Sequence, residues 1–397
     1  MISRRVALAA VGAAFAALSC SAAANDKLSF TDAEVRVILS LGPWGAYAPP
    51  DPTNRVSGNH EAIELGTRLF FDTRLSGKGS VSCSSCHVPE RHWTDNRRRG
   101  VGMVEVDRNT PPVINVHAQR WFGWGGSADS LWSQSLRPIV DQRELGATQR
   151  HVADLIRNDE QLACRYRKAF GSPPSPTDDE AVFVGVGKSL AAFQETLMSG
   201  MTPFDWFRIA LEKNERQPAS MIYSDAAQRG LKLFIGKGGC ASCHSGPNFT
   251  NGEFFNTGLS KFQPAGRPDP GRQAGIKQLL DSRFNLLGKY NDDKTGASAE
   301  RTRKLAAGNG NFGEFKVPSL RNLILSAPFG RDGQIDSLAE VVRHYNGLDP
   351  VAMHARDGRP ANPIQLSQQE QTDLVVFLES LSTFSNPWRP EDAGHCN

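Results

Sequence analysis

The chain has 397 residues, enough for two or three domains with a core each, so it is not a stapled miniprotein. Lys and Arg outnumber Asp and Glu by 45 to 42, a formal net charge of +3. That balance offers no basic field to hold nucleic acid or an anionic membrane, so neither is an expected partner.

The first segment, MISRRVALAAVGAAFAALSC, sets two arginines ahead of an apolar run too short to span a bilayer, and small residues follow it. It reads as an export signal over residues 1–24. Cleavage after Ala22-Ala23-Ala24 would leave a soluble periplasmic chain starting at Asn25. A lipid-anchored form through Cys20 is the rival reading. It is the weaker fit, because Ala17 stands where lipoprotein signals usually carry a bulkier aliphatic.

Beyond the signal the chain repeats itself. Gly66-Thr67-Arg68-Leu69-Phe70 closes a helical-period segment (Ala62, Leu65, Leu69, with Ile63 and Phe70 beside them) and leads through a glycine-rich loop to Cys83-Ser84-Ser85-Cys86-His87. Gly230-Leu231-Lys232-Leu233-Phe234 leads in the same way to Cys240-Ala241-Ser242-Cys243-His244. Each histidine is followed by a matching tripeptide, Trp93-Thr94-Asp95 and Phe249-Thr250-Asn251. Two copies of one unit are expected, residues 25–210 and 211–397. Ser337 with Glu340, and Ser367 with Glu370, have capping-box spacing ahead of apolar helical faces, the last being Leu374, Phe377, Leu378 and Leu381. Residues 171–179 and 261–313 read as loops rich in Pro, Gly and Asp, and no segment alternates as a strand. The expected fold is mainly α: two cytochrome c-like haem domains with long loops.

Closely spaced cysteines serve zinc ribbons, dithiol redox sites and covalent haem attachment. A ribbon brings four thiolates to one ion and leaves a histidine after each pair unexplained. A dithiol site wants a strand-to-helix setting and has no use for the adjacent imidazole. Haem accounts for all three residues. Thiols at i and i+3 reach the two porphyrin vinyl groups, and the next residue places its imidazole beneath the iron. Two haem c groups follow, held by Cys83, Cys86, Cys240 and Cys243, with His87 and His244 as iron ligands.

The segments LFFDTRLSGKGSVSCSSCHVPE, RNTPPVINV, GGCASCHSGPNFTN, FGEFKVPSLRNLILSAPFGRDG and SLAEVVRHYNG resemble the bacterial di-haem cytochrome c peroxidase and MauG superfamily across nearly the whole chain. RWFGWGGSADSLWSQS is most similar to the MauG-like enzymes encoded beside small copper-associated periplasmic proteins. The resemblance implies a peroxide-binding haem in the first domain, with Glu144 as acid/base, Gln134 orienting peroxide or water, and Pro138 over the haem. It places Trp124 between the haems as the residue that shares oxidising equivalents. It also implies a calcium ion held by Asn109, Ser326 and Pro328, with Ser326 standing where threonine is usual.

Peroxidases of the superfamily cap the second haem with methionine at the end of the helix after the SLxE cap, where this chain has Tyr345. Leu338, Val341, Val342 and Tyr345 share one helical face, and His344 lies about 110° from its centre. Tyr345 is thus the expected second ligand, with His344 and Met353 as alternatives. A phenolate favours ferric and higher iron states. No histidine stands between His92 and Asn109 to block the first iron, while Met103 is a weak candidate ligand and His92 reads as a surface residue or propionate contact. Trp93 and Trp121 add oxidisable rings. Cys164 and Cys396 can pair in an oxidising compartment, and the sequence leaves that open.

The activity implied is an oxidoreductase of peroxidase type that uses hydrogen peroxide to store two oxidising equivalents on its irons. It then oxidises a residue, such as tryptophan to kynurenine, on a small secreted partner that binds copper. The alternative is a cytochrome c peroxidase that reduces hydrogen peroxide with electrons from a small cytochrome or cupredoxin. A plain electron carrier with both irons fully ligated is the third reading.

Overall fold

The computed structural model describes residues 30–45, 49–214, 223–259, 266–306, 308–348, 364–384 and 394–396. The export signal, Cys20 and Met353 lie outside the described residues. Among the described residues there are twelve α-helices. In chain order they are α1 (Asp32–Ser40), α2 (His60–Phe71), α3 (Leu131–Val140), α4 (Gln149–Asn158), α5 (Glu160–Phe170) and α6 (Asp179–Glu195). They continue with α7 (Pro203–Glu212), α8 (Asp225–Ile235), α9 (Arg272–Asp281), α10 (Glu300–Arg303), α11 (Leu338–Asn346) and α12 (Gln368–Glu379). The only strands described are β1 (Phe254–Phe255) and β2 (Phe315–Lys316), paired antiparallel with Phe254 opposite Lys316. The mainly helical expectation holds.

Ten of the twelve helices start after Ser, Thr, Asn or Asp, and each of those side chains accepts a hydrogen bond from a first-turn amide. The exceptions are α9, capped by Gly271, and α10, capped by Ala299. Both fall in residues 261–313, the stretch expected to be loop. Without a cap signal and with a weak apolar face, α9 has little to announce it locally. It forms because Gly275 packs backbone to backbone on Gly125, where an added Cβ would sit 1.9 Å from the Gly125 carbonyl oxygen. The capping box at Ser367 is complete. At Ser337 only half forms, since Glu340 accepts from the amide of Asp336 instead.

The repeated glycines explain the repeated helix pairs. An added Cβ on Gly66 would stand 2.0 Å from the Ser189 carbonyl oxygen of α6, and one on Gly230 would stand 2.0 Å from that of Asp373 in α12. In each half the helix leading to the cysteine motif therefore packs backbone to backbone on its partner. The first core gathers Leu65, Leu69, Phe70, Trp132, Phe183 and Phe193. The second gathers Phe204, Leu231, Phe234, Phe249, Phe377 and Leu381. Each such side chain contributes roughly 1.5–3 kcal/mol of burial.

The two cores interleave along the chain and do not part at residue 210. Ile38, Leu41, Phe204 and Phe207 belong to the second core, while Leu286 and Ala299 belong to the first. A buried bidentate ion pair from Arg321 to Asp205, both bonds 2.9 Å, fixes α7 to the second half. The Cys164–Cys396 disulfide forms, with Cα atoms 6.1 Å apart across 232 residues of sequence, and ties the tail to α5. No described helix is long and apolar enough to cross a membrane.

Candidate di-haem site

Each cysteine motif is one tight 3₁₀ turn, Cys83–Ser85 and Cys240–Ser242. The amide of His87 donates to the Cys83 carbonyl at 3.0 Å and that of His244 to the Cys240 carbonyl at 2.9 Å, which brings both cysteines and the histidine to one side. The chain then turns through left-handed backbone at His92 and Trp93, and at Phe249. This aims the Trp93 and Phe249 carbonyls back at the imidazoles. Nδ1 of His87 lies 3.1 Å from the Trp93 oxygen, and Nδ1 of His244 lies 3.0 Å from the Phe249 oxygen. A carbonyl on Nδ1 leaves Nε2 as the ligand atom in each copy. Burial pulls both imidazoles below their ordinary pKa, so they are neutral and fit to bind iron.

The tripeptide repeat has a second purpose. Thr94 donates to the Thr110 carbonyl at 2.8 Å, and Thr250 to the Val317 carbonyl at 2.6 Å. These bonds pin Asn109-Thr110-Pro111 and Lys316-Val317-Pro318 beside the two imidazoles, a third block of the repeat that sequence reading missed. A fourth block follows at the same spacing. Phe122-Gly123-Trp124 matches Phe329-Gly330-Arg331, each phenylalanine opening an isolated bridge, to Ala128 and Ile335 respectively. Asp129-Ser130-Leu131 then matches Asp336-Ser337-Leu338. The halves clasp reciprocally: the amide of Asn109 donates to the Arg331 carbonyl at 2.8 Å, and that of Lys316 to the Trp124 carbonyl at 3.0 Å.

Both motifs open into one cavity of about 1550 Å³. Pockets for a single small ligand run about 300–1,000 Å³. His87, Cys83 and Cys86 line one end, and His244, Cys240 and Cys243 the other. Burial pushes the Cys83 thiol up to about 12 and the Cys86 and Cys240 thiols up to about 11, so none is a ready thiolate for redox exchange or zinc. Among the described residues no cluster of three or more His, Cys, Asp or Glu could hold a metal by itself. The donor sets thus fit two porphyrins held as thioethers, each with an oriented imidazole below its iron.

Across the cavity from His87, α3 presents Gln134 and, one turn on, Pro138, and Glu144 follows in the next turn; all three line the cavity. Gln134 Oε1 is buried with no hydrogen-bond partner in the protein. Glu144 is half-buried. Burial first, and the charge of Asp141 second, hold its carboxyl above the usual range, against the pull of Arg137 and Arg143. Gly102 lets its loop close on this turn, since an added Cβ would lie 2.6 Å from the Glu144 Cα. Met103 donates its amide to the Glu144 carbonyl at 2.9 Å, but its sulfur accepts from Ser80 at 3.8 Å and does not line the cavity. His92 does not line it either.

At the other end α11 turns Leu338, Val341, Val342 and Tyr345 to the cavity. Tyr345 is half-buried on the cavity wall, and desolvation pushes its phenol up to about 12. His344 also lines the cavity, with Nε2 2.9 Å from the Thr257 carbonyl. Counted from the caps Ser130 and Ser337, Pro138 of α3 and Tyr345 of α11 hold the same position. One half offers a ring without a donor atom where the other offers a phenol.

Trp124 lines the cavity and donates Nε1 to the Asn109 carbonyl at 2.9 Å. Asn109, Ser326 and Pro328 also line it. Asn96 donates to the Leu325 and Ala327 carbonyls at 3.1 and 3.0 Å, and Asn109 Nδ2 to the Arg97 carbonyl at 2.8 Å. Those bonds bring the three expected calcium ligands to one region. Trp93 is fully buried, edge-on to Phe70 and Phe193 at 5.8 and 6.0 Å, and serves the first core. Trp121 packs under the Arg272 guanidinium at 4.7 Å.

Fold and site together define a di-haem c-type enzyme. A family model described as di-haem cytochrome c peroxidase matches residues 60–214. The methylamine utilization protein MauG of Methylorubrum extorquens is 34% identical over 382 residues, covering 94% of this chain and 93% of that protein. The cytochrome-c peroxidase IdrP2 of a Pseudomonas species is 30% identical over 351 residues, covering 87% of each. A solved MauG-like protein associated with microbial copper homeostasis aligns with a TM-score of 0.62 at 28% identity, covering 88% of this chain and 100% of that one. The chain belongs to the MauG and di-haem cytochrome c peroxidase family, and it is a haem oxidoreductase of peroxidase type.

Proposed function

We propose that this is a periplasmic MauG-like enzyme that takes two oxidising equivalents from hydrogen peroxide and spends them on a residue of a partner protein. The observation that carries the reading is the asymmetry of matched positions, Pro138 in one half and Tyr345 in the other, both lining the cavity that His87 and His244 share. When bound, the haems supply peroxide binding, storage of oxidising equivalents and long-range electron transfer. The protein supplies the rest. His87 and His244 hold the irons from below through Nε2. Gln134 Oε1, buried without a partner, orients peroxide or water. Glu144, held protonatable by burial, takes the proton from the near peroxide oxygen and returns it to the far one.

Trp124 carries electrons between the two haems, a role supported by its place on the wall of the shared cavity and its bond to the clasp of the halves. Tyr345 is the second ligand of the His244 haem, an oxygen donor that favours the oxidised states. His344 is held by the Thr257 carbonyl. A calcium ion on Asn109, Ser326 and Pro328 braces the clasp with hard oxygen donors. The neighbour associated with microbial copper homeostasis supports a partner linked to copper; the proposed substrate is a small secreted copper-binding protein, with a tryptophan converted to kynurenine.

Peroxide added to the fully oxidised enzyme without reductant tests this. Retention of both equivalents, followed by loss on addition of the partner, is the expected result. Turnover only with a reduced small cytochrome or cupredoxin would replace it with the ordinary peroxidase reading, which the relatives named cytochrome-c peroxidases keep in view.

A further inference from the structure

Lys316 is a half-buried cation whose hydrogen-bond partners among the described residues include no protein anion. It stands on β2 and lines the shared cavity. Nζ donates to Gln119 Oε1 and to the Trp121 carbonyl, both neutral acceptors. An ammonium has three donors, so these two bonds leave one unassigned. Burial alone acts on its pKa, pulling it down to about 8, and no carboxylate opposes that pull. A buried ammonium without a counter-charge is costly, so a cavity that retains one is built for an anion to enter.

The repeat says where that anion belongs. Lys316 matches Asn109, and the two donate their amides reciprocally across the clasp. Lys316 is two residues before Pro318, as Asn109 is two before Pro111, and both prolines line the cavity. The lysine therefore lines the cavity at the clasp, where its amide bonds the Trp124 carbonyl. The only carboxylates a haem c carries are its propionates.

We infer that Lys316 is the counter-cation of a haem propionate at the Trp124 bridge, where it anchors the porphyrin edge and raises the reduction potential of that haem. The inference rests on the two-haem reading but not on any protein substrate. An N⁺–H···O⁻ contact of about 2.7–2.9 Å from Nζ to a propionate oxygen is expected.

The test starts with haem stoichiometry of the isolated holoenzyme, because fewer than two porphyrins per chain would sink the two-haem reading itself. With two present, a crystal structure of the holoenzyme measures the contact directly. Nζ beyond about 4 Å from every propionate oxygen overturns the inference. Spectroelectrochemical titration then compares Lys316→Gln and Lys316→Arg with wild type. The glutamine variant should lower the reduction equilibrium constant of one haem at least tenfold, about 59 mV for a one-electron couple, and arginine should keep it within threefold. The haem whose potential moves identifies the source of the carboxylate. Both potentials within threefold of wild type in Lys316→Gln would overturn the inference.

Discussion

Tyr345 is the residue on which the two halves differ most in chemistry, and its ionisation can be sized. Burial pushes the phenol up to about 12. From pH 7 that is five decades of proton activity at about 1.36 kcal/mol each, so the empty site disfavours phenolate by about 7 kcal/mol. A phenolate exists there only if ferric iron supplies at least that much.

Tyr345→Phe should abolish the phenolate-to-iron bands in resonance Raman and raise the midpoint potential of one haem by at least about 60 mV, a tenfold change in a one-electron equilibrium constant. His344→Ala should leave both in place, because His344 is engaged by the Thr257 carbonyl. Wild type should show no phenol titration between pH 6 and 10. The assignment fails if Tyr345→Phe leaves both haem spectra unchanged, or if the potential moves by less than a tenfold change in equilibrium constant.

Three further outcomes follow from named contacts. Glu144→Gln should slow peroxide consumption about 10²–10⁴-fold at unchanged haem content, the span expected for loss of a positioned acid/base, and stopped-flow rates near wild type would remove Glu144 from the proton path. Gly230→Ala should cost at least about 1–3 kcal/mol, seen as a lower Tm, because the new methyl meets the Asp373 carbonyl at 2.0 Å; a neutral result would mean that α8 and α12 can slide apart. Glu195 is raised by burial to about 7 despite its hydrogen bond from Ser57. The folded chain thus holds that proton more tightly than the unfolded one, so the associated stability is full below about pH 4.5 and is lost as pH rises through 7. Glu195→Gln should match wild type at pH 4.5 and exceed it by about 3 kcal/mol above pH 8; equal Tm differences at both pH values would refute the shift.

What could be read in the sequence was what local chemistry encodes. The cysteine–histidine turns, the caps at Ser337 and Ser367 and the face of Leu374, Phe377, Leu378 and Leu381 each depend on neighbours within a turn or two, and all formed. The glycine at the head of each repeat was visible, but not its reason, because the carbonyl it admits belongs to a helix more than a hundred residues away. Helix α9 was missed for the same cause: Gly275 stabilises it through Gly125, a contact absent from any local window. Interleaved cores also hid the true extent of each half. Phe204 looks like part of the first unit in sequence and packs in the second. Lys316 went unnoticed because a lysine in a polar loop is ordinarily a solvated residue, and only its burial beside Trp121 sets it apart.

The duplicated architecture makes the functional difference a matter of very few side chains. Below the irons the halves are nearly interchangeable: the same turn, the same carbonyl on Nδ1, the same threonine bond and the same proline segment. Those contacts fix geometry without choosing a reaction. In the proposed reading the choice falls to two helices that start from the same cap and carry proline in one and tyrosine in the other at the same step. Proline has no atom to give an iron, so a small oxidant would approach between Gln134 and Glu144, whereas tyrosine would fill the equivalent position with an oxygen donor. Exchanging the pair, Pro138→Tyr with Tyr345→Phe, should therefore move the open coordination position from the His87 haem to the His244 haem. It should not move the acid/base with it, since Glu144 belongs to the turn after α3. Cyanide should then bind the opposite haem while peroxide cleavage is lost, and peroxide cleavage retained at the swapped centre would show that Glu144 is not its proton carrier.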